Sequence, residues 1–308
     1  MKLAILSDIH GNLPALQAVS AHLEAWRPDH TIVAGDIVNR GPSSLQCWRF
    51  LRDRPGWRLI RGNQEDYVLE WARSDAAPGD LVSELNRSSY WTFRQLGDQV
   101  ASLDALPDEL SYSAPDGSQA RICHASVRGN RDGIGPKAPP AQVRQQIAPA
   151  PALFGTAHVH IPFVRSIDET LLVNSGAVGC PCDGDRRASY AQIEWSAGGG
   201  WRACILRLPY DRAQAERDFA GSSFFPGSGP LGPIIFHGWR LARPLLAYWV
   251  RQYQDQVLAG EIELQPSVAL FLDQWGLKAG IIRGLTRKQA RVRCLSPGAK
   301  NHKGVFNA

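Results

Sequence analysis

The sequence predicts an α/β fold with mixed sheets, and three observations carry that reading. Over the first 60 residues, short apolar runs alternate with segments of helical periodicity, the pattern of βαβ units and a parallel sheet. From about residue 109 the pattern turns mainly to strands. The 308 residues are 44% hydrophobic and 20% charged, enough for a sizeable core in one large domain or two ordinary ones.

Taken in order, Leu3–Ser7 reads as a buried strand. Asn12-Leu13-Pro14 opens a helix, with proline in its first turn. Leu13, Leu16, Val19, Leu23 and Trp26 then recur at helical spacing. Thr31–Ala34 is a second strand ending on Gly35-Asp36, Ser43–Arg52 a second helix, and Trp57–Ile60 a third strand ending on Gly62-Asn63. Residues 79–106 read as a helical excursion over the site. Strands are expected at about 109–114, 119–123, 152–156, 161–167, 170–174, 188–195 and 202–208, with a Gly/Pro-rich loop over Arg128–Pro140.

A second regime begins near Leu208. Asp211–Phe219 reads as helical, Ser222–Pro233 as a Gly/Pro/Ser linker, and Trp239–Val257 and Val268–Trp275 as apolar-faced helices. The expected division is a domain over 1–208, a helical C-terminal extension over 209–275, and a poorly ordered basic tail over 276–308. The extension holds no cluster of ligand-type residues comparable to that of the first domain.

Net charge is +5, but Lys278, Arg283, Arg287, Lys288, Arg291, Arg293, Lys300 and Lys303 put +8 on the tail and leave −3 on the rest. That tail is either a solvated segment or a contact for nucleic-acid phosphates. No run of about 18 apolar residues exists, so no membrane span is expected. Met1-Lys2 leads straight into a strand with no secretory signal, and the six cysteines are scattered apart from Cys180-Pro-Cys182. Both features fit reduced thiols in a cytoplasmic protein.

The chemistry lies at the strand ends. Asp8 and His10 follow the first apolar run, Asp36 the second and Asn63 the third. His124 stands in "RICHAS", and His158 and His160 stand in "AHVHIPF". Ligands drawn from successive strand ends of an open α/β sheet converge on one edge. Alternate residues of a strand share a face, so Asp8/His10 and His158/His160 would each act together. Singly, each has a plain structural reading: Asp36 a cap or turn, Asn63 a turn residue, His124 a hydrogen-bonded core histidine.

With these residues in place, the sequence resembles the calcineurin-like metallophosphoesterases. "SDIHGN", "GDIVNRGP", "RGNQE", "CHAS" and "AHVHIPF" stand where that family has its five ordered motifs, and "NSGAVGCP" resembles the segment that follows. The resemblance covers roughly residues 1–210. "GDIVNRGPSSL" is similar to the diadenosine tetraphosphatase and Ser/Thr phosphatase branches; "ILSDIHGNLPALQAV" is similar to small bacterial and archaeal phosphodiesterases.

The resemblance implies a four-layer α/β/β/α sandwich and a two-metal centre. Asp8, His10 and His160 would hold one ion, and Asn63, His124 and His158 the other. Asp36 would bridge them, and a hydroxide between the ions would attack phosphorus in line. Carboxylate, imidazole and amide oxygen suit Mn²⁺, with Fe or Zn²⁺ next. Arg40 matches the phosphate-binding arginine of the phosphatase branches, with Arg61 and Arg128 weaker candidates. Asn39 stands where protein phosphatases carry Asp.

Two positions depart from the pattern. Gln64 stands where many members carry a histidine that protonates the leaving oxygen, and glutamine is no acid near neutral pH. Ala157 replaces the usual Gly before the paired histidines, leaving the reach of His158 to be checked. The expected substrate is a phosphoester or nucleotide, with phosphodiesterase or nucleotide pyrophosphohydrolase activity favoured over monoesterase activity. The rivals are a Ser/Thr-type protein phosphatase, a nuclease, and an idle metal-binding interaction module. Trp91, Phe93, Trp239 and Trp249 are either core aromatics or stacking surfaces for a base.

Overall fold

The computed structural model describes residues 1–73 and 79–277. The chain opens with β1 (Lys2–Leu6), α1 (Leu13–Trp26), β2 (His30–Val33), α2 (Ser44–Arg52), β3 (Trp57–Leu59) and α3 (Asn63–Arg73). Helices α4 (Leu81–Leu85), α5 (Arg87–Leu96) and α6 (Ala101–Asp104) lead into β4 (Glu109–Ser113) and β5 (Gln119–Cys123). Next come α7 (Pro140–Gln146), β6 (Leu153–Thr156), β7 (Phe163–Ile167), β8 (Thr170–Asn174) and the hairpin β9 (Ala188–Ser196) and β10 (Gly200–Leu208). Helices α8 (Arg212–Gly221), α9 (Phe224–Gly227), α10 (Gly232–Leu241), α11 (Leu245–Trp249), α12 (Asp255–Leu258) and α13 (Leu264–Gln274) follow, with a π segment at Val250–Gln254 joining α11 to α12.

Two mixed five-stranded sheets result, in the orders β10-β9-β1-β2-β3 and β4-β5-β6-β8-β7. In the first, β1, β2 and β3 are parallel and β9 returns antiparallel to β1. In the second, β5, β6 and β8 are parallel and the edge strands β4 and β7 are antiparallel.

Strand alternation builds the layers. Leu3 and Ile5 of β1 join Ile32, Ile122, Leu153 and Val173 in the core between the sheets. Ala4 and Leu6, on the other face of β1, pack with Leu16, Val19, Trp48 and Leu51 of α1 and α2. Val143 of α7 packs with Phe154 and Leu172 on the outer face of the second sheet. Strands covered on both faces must be apolar throughout, which is why β1 reads as a continuous run.

Helix α1 begins as the sequence requires. Asn12 Oδ1 accepts from the Ala15 amide, and proline occupies the first turn. The expected strands are all present, within a residue or two of their ends. Helices α3 and α7 were not foreseen. α7 has only seven residues, and α3 buries only Val68 and Leu69 among its apolar residues, too few for a visible period.

The segment read as a linker, Ser222–Pro233, is instead packed. Phe224 is fully buried, edge-on to Trp91 and Phe219, and α9 and the start of α10 lie within it. The helix expected over Trp239–Val257 breaks at a left-handed Ala242 and restarts after Pro244. Trp239 and Trp249 are core residues, with Trp249 Nε1 donating to Ser267 Oγ. Trp91 donates to Ser223 and Phe93 packs on the α1/α2 core. The basic tail, beyond Gly276 and Leu277, lies outside the described residues. Among the described residues, no helix is long and apolar enough to cross a membrane.

Candidate metal centre

All seven ligand-type residues meet at the C-terminal ends of the parallel strands. Two clusters form, Asp8/His10/Asp36/His160 and Asp36/His124/His158, with Asp36 in both. In the first, Asp8 Oδ1 lies 3.2 Å from His160 Nε2, and His10 Nε2 lies 3.7 Å from Asp36 Oδ2. In the second, Asp36 Oδ1 is 3.4 Å from His124 Nε2. Asn63 Oδ1 is 3.1 Å from His124 Nε2 and 2.9 Å from His158 Nδ1.

Strand alternation is not what aligns these pairs. β1 ends at Leu6 and β6 at Thr156, so Asp8, His10, His158 and His160 lie on the loops beyond. Their side chains converge because the backbone turns left-handed at each of them. Asp8, His10, Asp36, Asn39, Arg40, His158 and His160 all have positive φ, and among the described residues only Arg27, Asp168 and Ala242 join them outside glycine. Each such turn costs about 1–3 kcal/mol and persists only where surrounding contacts over-determine it.

Those contacts are visible. The amides of Asp8, His10 and Gly11 donate to the carbonyls of Gly35, Asp36 and Ile37, tying the first two strand-end loops together. The His158 amide donates to Asp8 Oδ2, which also accepts from Ser7 Oγ. The "NSGAVGCP" segment closes the ring: Val178 and Gly179 donate to the carbonyls of Ser7 and Asp8. A Cβ on Gly179 would lie 1.8 Å from the Ile9 carbonyl oxygen, so only glycine fits. The Ala157 departure is harmless. Ala157 is fully buried, its amide donates to the His124 carbonyl, and His158 reaches Asn63.

The donor set fits a cation on the structure's own terms. His124 Nδ1 meets the Ala34 carbonyl at 2.7 Å, and His160 Nδ1 meets the Cys180 carbonyl at 2.5 Å. Carbonyl oxygens only accept, so each Nδ1 carries a proton, and in the neutral form of either ring Nε2 would present the lone pair. Those lone pairs then face other ligand atoms: His10 Nε2 is 3.2 Å from His160 Nε2, and His124 Nε2 is 3.3 Å from His158 Nδ1. Among the described residues Asp8 Oδ1, fully buried, accepts no well-aligned hydrogen bond and lies 3.2 Å from His160 Nε2. Converging lone pairs and a buried carboxylate oxygen are the arrangement a cation satisfies.

Electrostatics agree. Burial pushes the His158 imidazole down to about 3, helped by the neighbouring His124, and drives His10 well below its ordinary value. Burial also lowers His160, but the Asp8 carboxylate overrides it and lifts that ring well above the usual range.

Around the clusters, Arg40 is half-buried, and its charge depresses His10 and His158. It makes no ion pair among the described residues, unlike the other two candidates. Arg61 is held by Asp66, Asp104 and Asp108, and Arg128 is clamped bidentately on Asp132. Those two are structural ion pairs. Gln64 is buried beside Asp36, with its amide N–H on Asp36 Oδ1 at 2.9 Å. Its Oε1 accepts from Asn39 Nδ2 at 2.8 Å, while Nε2 has no partner among the described residues.

One residue was missed. Glu65 is fully buried and accepts the backbone N–H groups of Asp36, Ile37, Val38 and Gly62. The signal was present in "RGNQE": a Glu three residues after a helix-capping position reaches back to that residue's N–H.

A family model described as the calcineurin-like phosphoesterase superfamily domain matches residues 1–198. An uncharacterized protein of Methanocaldococcus jannaschii is 27% identical over 240 residues, covering 69% of this chain and 89% of that one. Serine/threonine-protein phosphatase 2 of Escherichia coli is 29% identical over 133 residues, 41% of this chain and 59% of that one. A symmetrical bis(5′-nucleosyl)-tetraphosphatase of Yersinia enterocolitica is 35% identical over 72 residues, 22% of this chain and 24% of that one. Among solved structures, a metallophosphoesterase from Sphaerobacter thermophilus superposes with a TM-score of 0.57 at 25% identity, over 72% of this chain and 94% of that one.

Proposed function

The chain belongs to the calcineurin-like phosphoesterase superfamily, and from that premise we propose that it is a dinuclear-metal-dependent phosphoester hydrolase. The preferred substrate class is a phosphodiester or nucleotide pyrophosphate. The observation that carries the two-ion reading is Asp36, whose two oxygens serve separate clusters. Asp8, His10, Asp36 and His160 would hold one ion, and Asp36, Asn63, His124 and His158 the other. Mn²⁺ fits the mixed carboxylate, imidazole and amide set, with Fe or Zn²⁺ next. When bound, such ions supply Lewis acidity toward phosphoryl oxygens and acidify water. In this reading residues 1–208 form the catalytic domain and 209–275 a helical extension.

The protein's own groups do the rest. Arg40, half-buried and without an ion pair among the described residues, offers a planar fork to a non-bridging phosphoryl oxygen. Gln64 Nε2–H can donate to an oxygen of the substrate but cannot give up a proton to a leaving group. General acid help is typically worth about 10²–10⁴-fold, most for a basic alkoxide. A site without it suits diesters and anhydrides whose leaving groups are already acidic. The short match to a bis(5′-nucleosyl)-tetraphosphatase points the same way.

The test compares kcat/KM on bis(p-nitrophenyl) phosphate and p-nitrophenyl phosphate, using metal-analysed protein. A preference for the diester is expected. Gln64→His should raise turnover of an alkyl monoester by about tenfold or more, a fraction of the full general-acid effect. Strong monoester preference in the wild type would rule out the diesterase assignment. A dinucleoside polyphosphate assayed beside a phosphopeptide separates it from a protein phosphatase.

A further inference from the structure

Along the β3 edge of the first sheet, outside the metal cluster, lies an open groove. β3 runs parallel to β1 and β2, so its first residue, Trp57, sits at the far end from Asp8 and Asp36. The C-terminal end of α2 lies beside it, nine residues from the helix start at Ser44, where the neighbouring Ser43 amide touches the Gly11 carbonyl of the site. Between them the groove has a volume of about 390 Å³.

Its lining is unusual in charge. Arg52, Arg54 and Arg58 all border it, and no aspartate or glutamate does. Among the described residues none of the three is held by a carboxylate; Arg52 donates only to Gln99 Oε1, at 3.4 Å. Arg54 is also preorganised. Its guanidinium lies 3.5 Å from the centroid of the Phe50 ring, and one N–H donates to the Phe50 carbonyl. A guanidinium fixed this way loses little freedom when it binds an anion. Trp48, which also lines the groove, is 2% exposed and buries its indole Nε1–H with no acceptor among the described residues. The remaining wall is apolar, from residues such as Leu106 and Pro107.

We propose that this groove is a second binding site, separate from the metal cluster, for a small organic phosphate such as a mononucleotide. The arginines supply donors for a phosphate, and the apolar wall takes the organic portion. The wall favours an ester over inorganic phosphate.

Isothermal titration of AMP into the full-length protein tests this, with wild type and the arginine variant metal-loaded and Asp36→Asn used as isolated, and with adenosine and inorganic phosphate titrated in parallel. Wild type, Arg52→Ala/Arg58→Ala and Asp36→Asn are compared. Both arginines are exposed, so the double variant should fold and keep its diester turnover. An AMP-binding event is expected that persists in Asp36→Asn and weakens on the order of tenfold per arginine removed. Inorganic phosphate should bind that event more weakly than AMP, and adenosine should not bind it. The proposal is overturned if the double variant titrates like wild type, if Asp36→Asn abolishes all AMP binding, or if adenosine binds as tightly as AMP. Because the readout is binding at a site outside the metal cluster, a failed hydrolase assay leaves it intact, and the converse also holds.

Discussion

Asp36→Asn is expected to lower turnover of bis(p-nitrophenyl) phosphate by roughly 10³-fold or more and to strip metal from the protein. The side chain is nearly isosteric, so the loops should keep their shape. Charge and lone pairs are what change. Asp36 Oδ1 faces His124 Nε2 and accepts the Gln64 amide, while Oδ2 faces His10 Nε2. An amide nitrogen at either position points hydrogens at an atom that should share a cation, and the negative charge common to both clusters is gone. Metal ions supply several kcal/mol of transition-state stabilisation, and each 1.36 kcal/mol is tenfold in rate. Loss of even one ion therefore reaches three orders of magnitude. The measurement pairs kcat/KM with metal content by mass spectrometry. A variant that keeps both its metal and turnover within a few-fold of wild type would remove Asp36 from the centre of the mechanism.

The residues of this site were legible in the sequence, but the reason they meet was not. Asp8 and His10 were paired through strand alternation, a period-2 argument. The structure pairs them through two left-handed turns beyond the strand, a backbone state that residue type alone does not announce outside glycine. The strands were readable because those covered on both faces must be apolar, as Leu3 to Leu6 are. Helices α3 and α7 were not, because so few of their residues face a core. The packing after Leu208 was hidden for another reason. The Ser222–Pro233 stretch has the composition of a loop, yet Phe224 within it closes a cluster with Phe219, Phe236 and Trp239. Local composition cannot report a partner some fifteen residues away. The charge of Arg61 and Arg128 was equally ambiguous until their carboxylates were placed.

Glu65 carries the other large effect, and it is a stability effect first. Its carboxylate accepts four backbone N–H groups at 2.8–3.2 Å: Asp36, Ile37, Val38 and Gly62. Three belong to the loop after β2 and the fourth caps α3, so one side chain pins the two segments that present Asp36 and Asn63. No water-exposed alternative exists for these amides, because Asp36, Ile37, Val38, Gly62 and Glu65 are all buried. Truncation leaves each buried donor to its desolvation cost, about 1–3 kcal/mol apiece before relaxation or water entry. Glu65→Ala should therefore destabilise the protein by roughly 3–5 kcal/mol, read as a lower midpoint in urea. Glu65→Gln separates the causes. Its amide oxygen can still serve two of the donors, but its NH₂ must face the others, so an intermediate loss is expected. Gly62 adds a constraint, since a Cβ there would lie 2.2 Å from Asp36 Oδ1 and the loop cannot slide to compensate. If Glu65 acted only through stability, the Gln variant assayed well below its midpoint would bind metal as wild type does. Weakened metal binding in a folded Glu65→Gln protein is the expected result, because the same four amides set the position of Asp36.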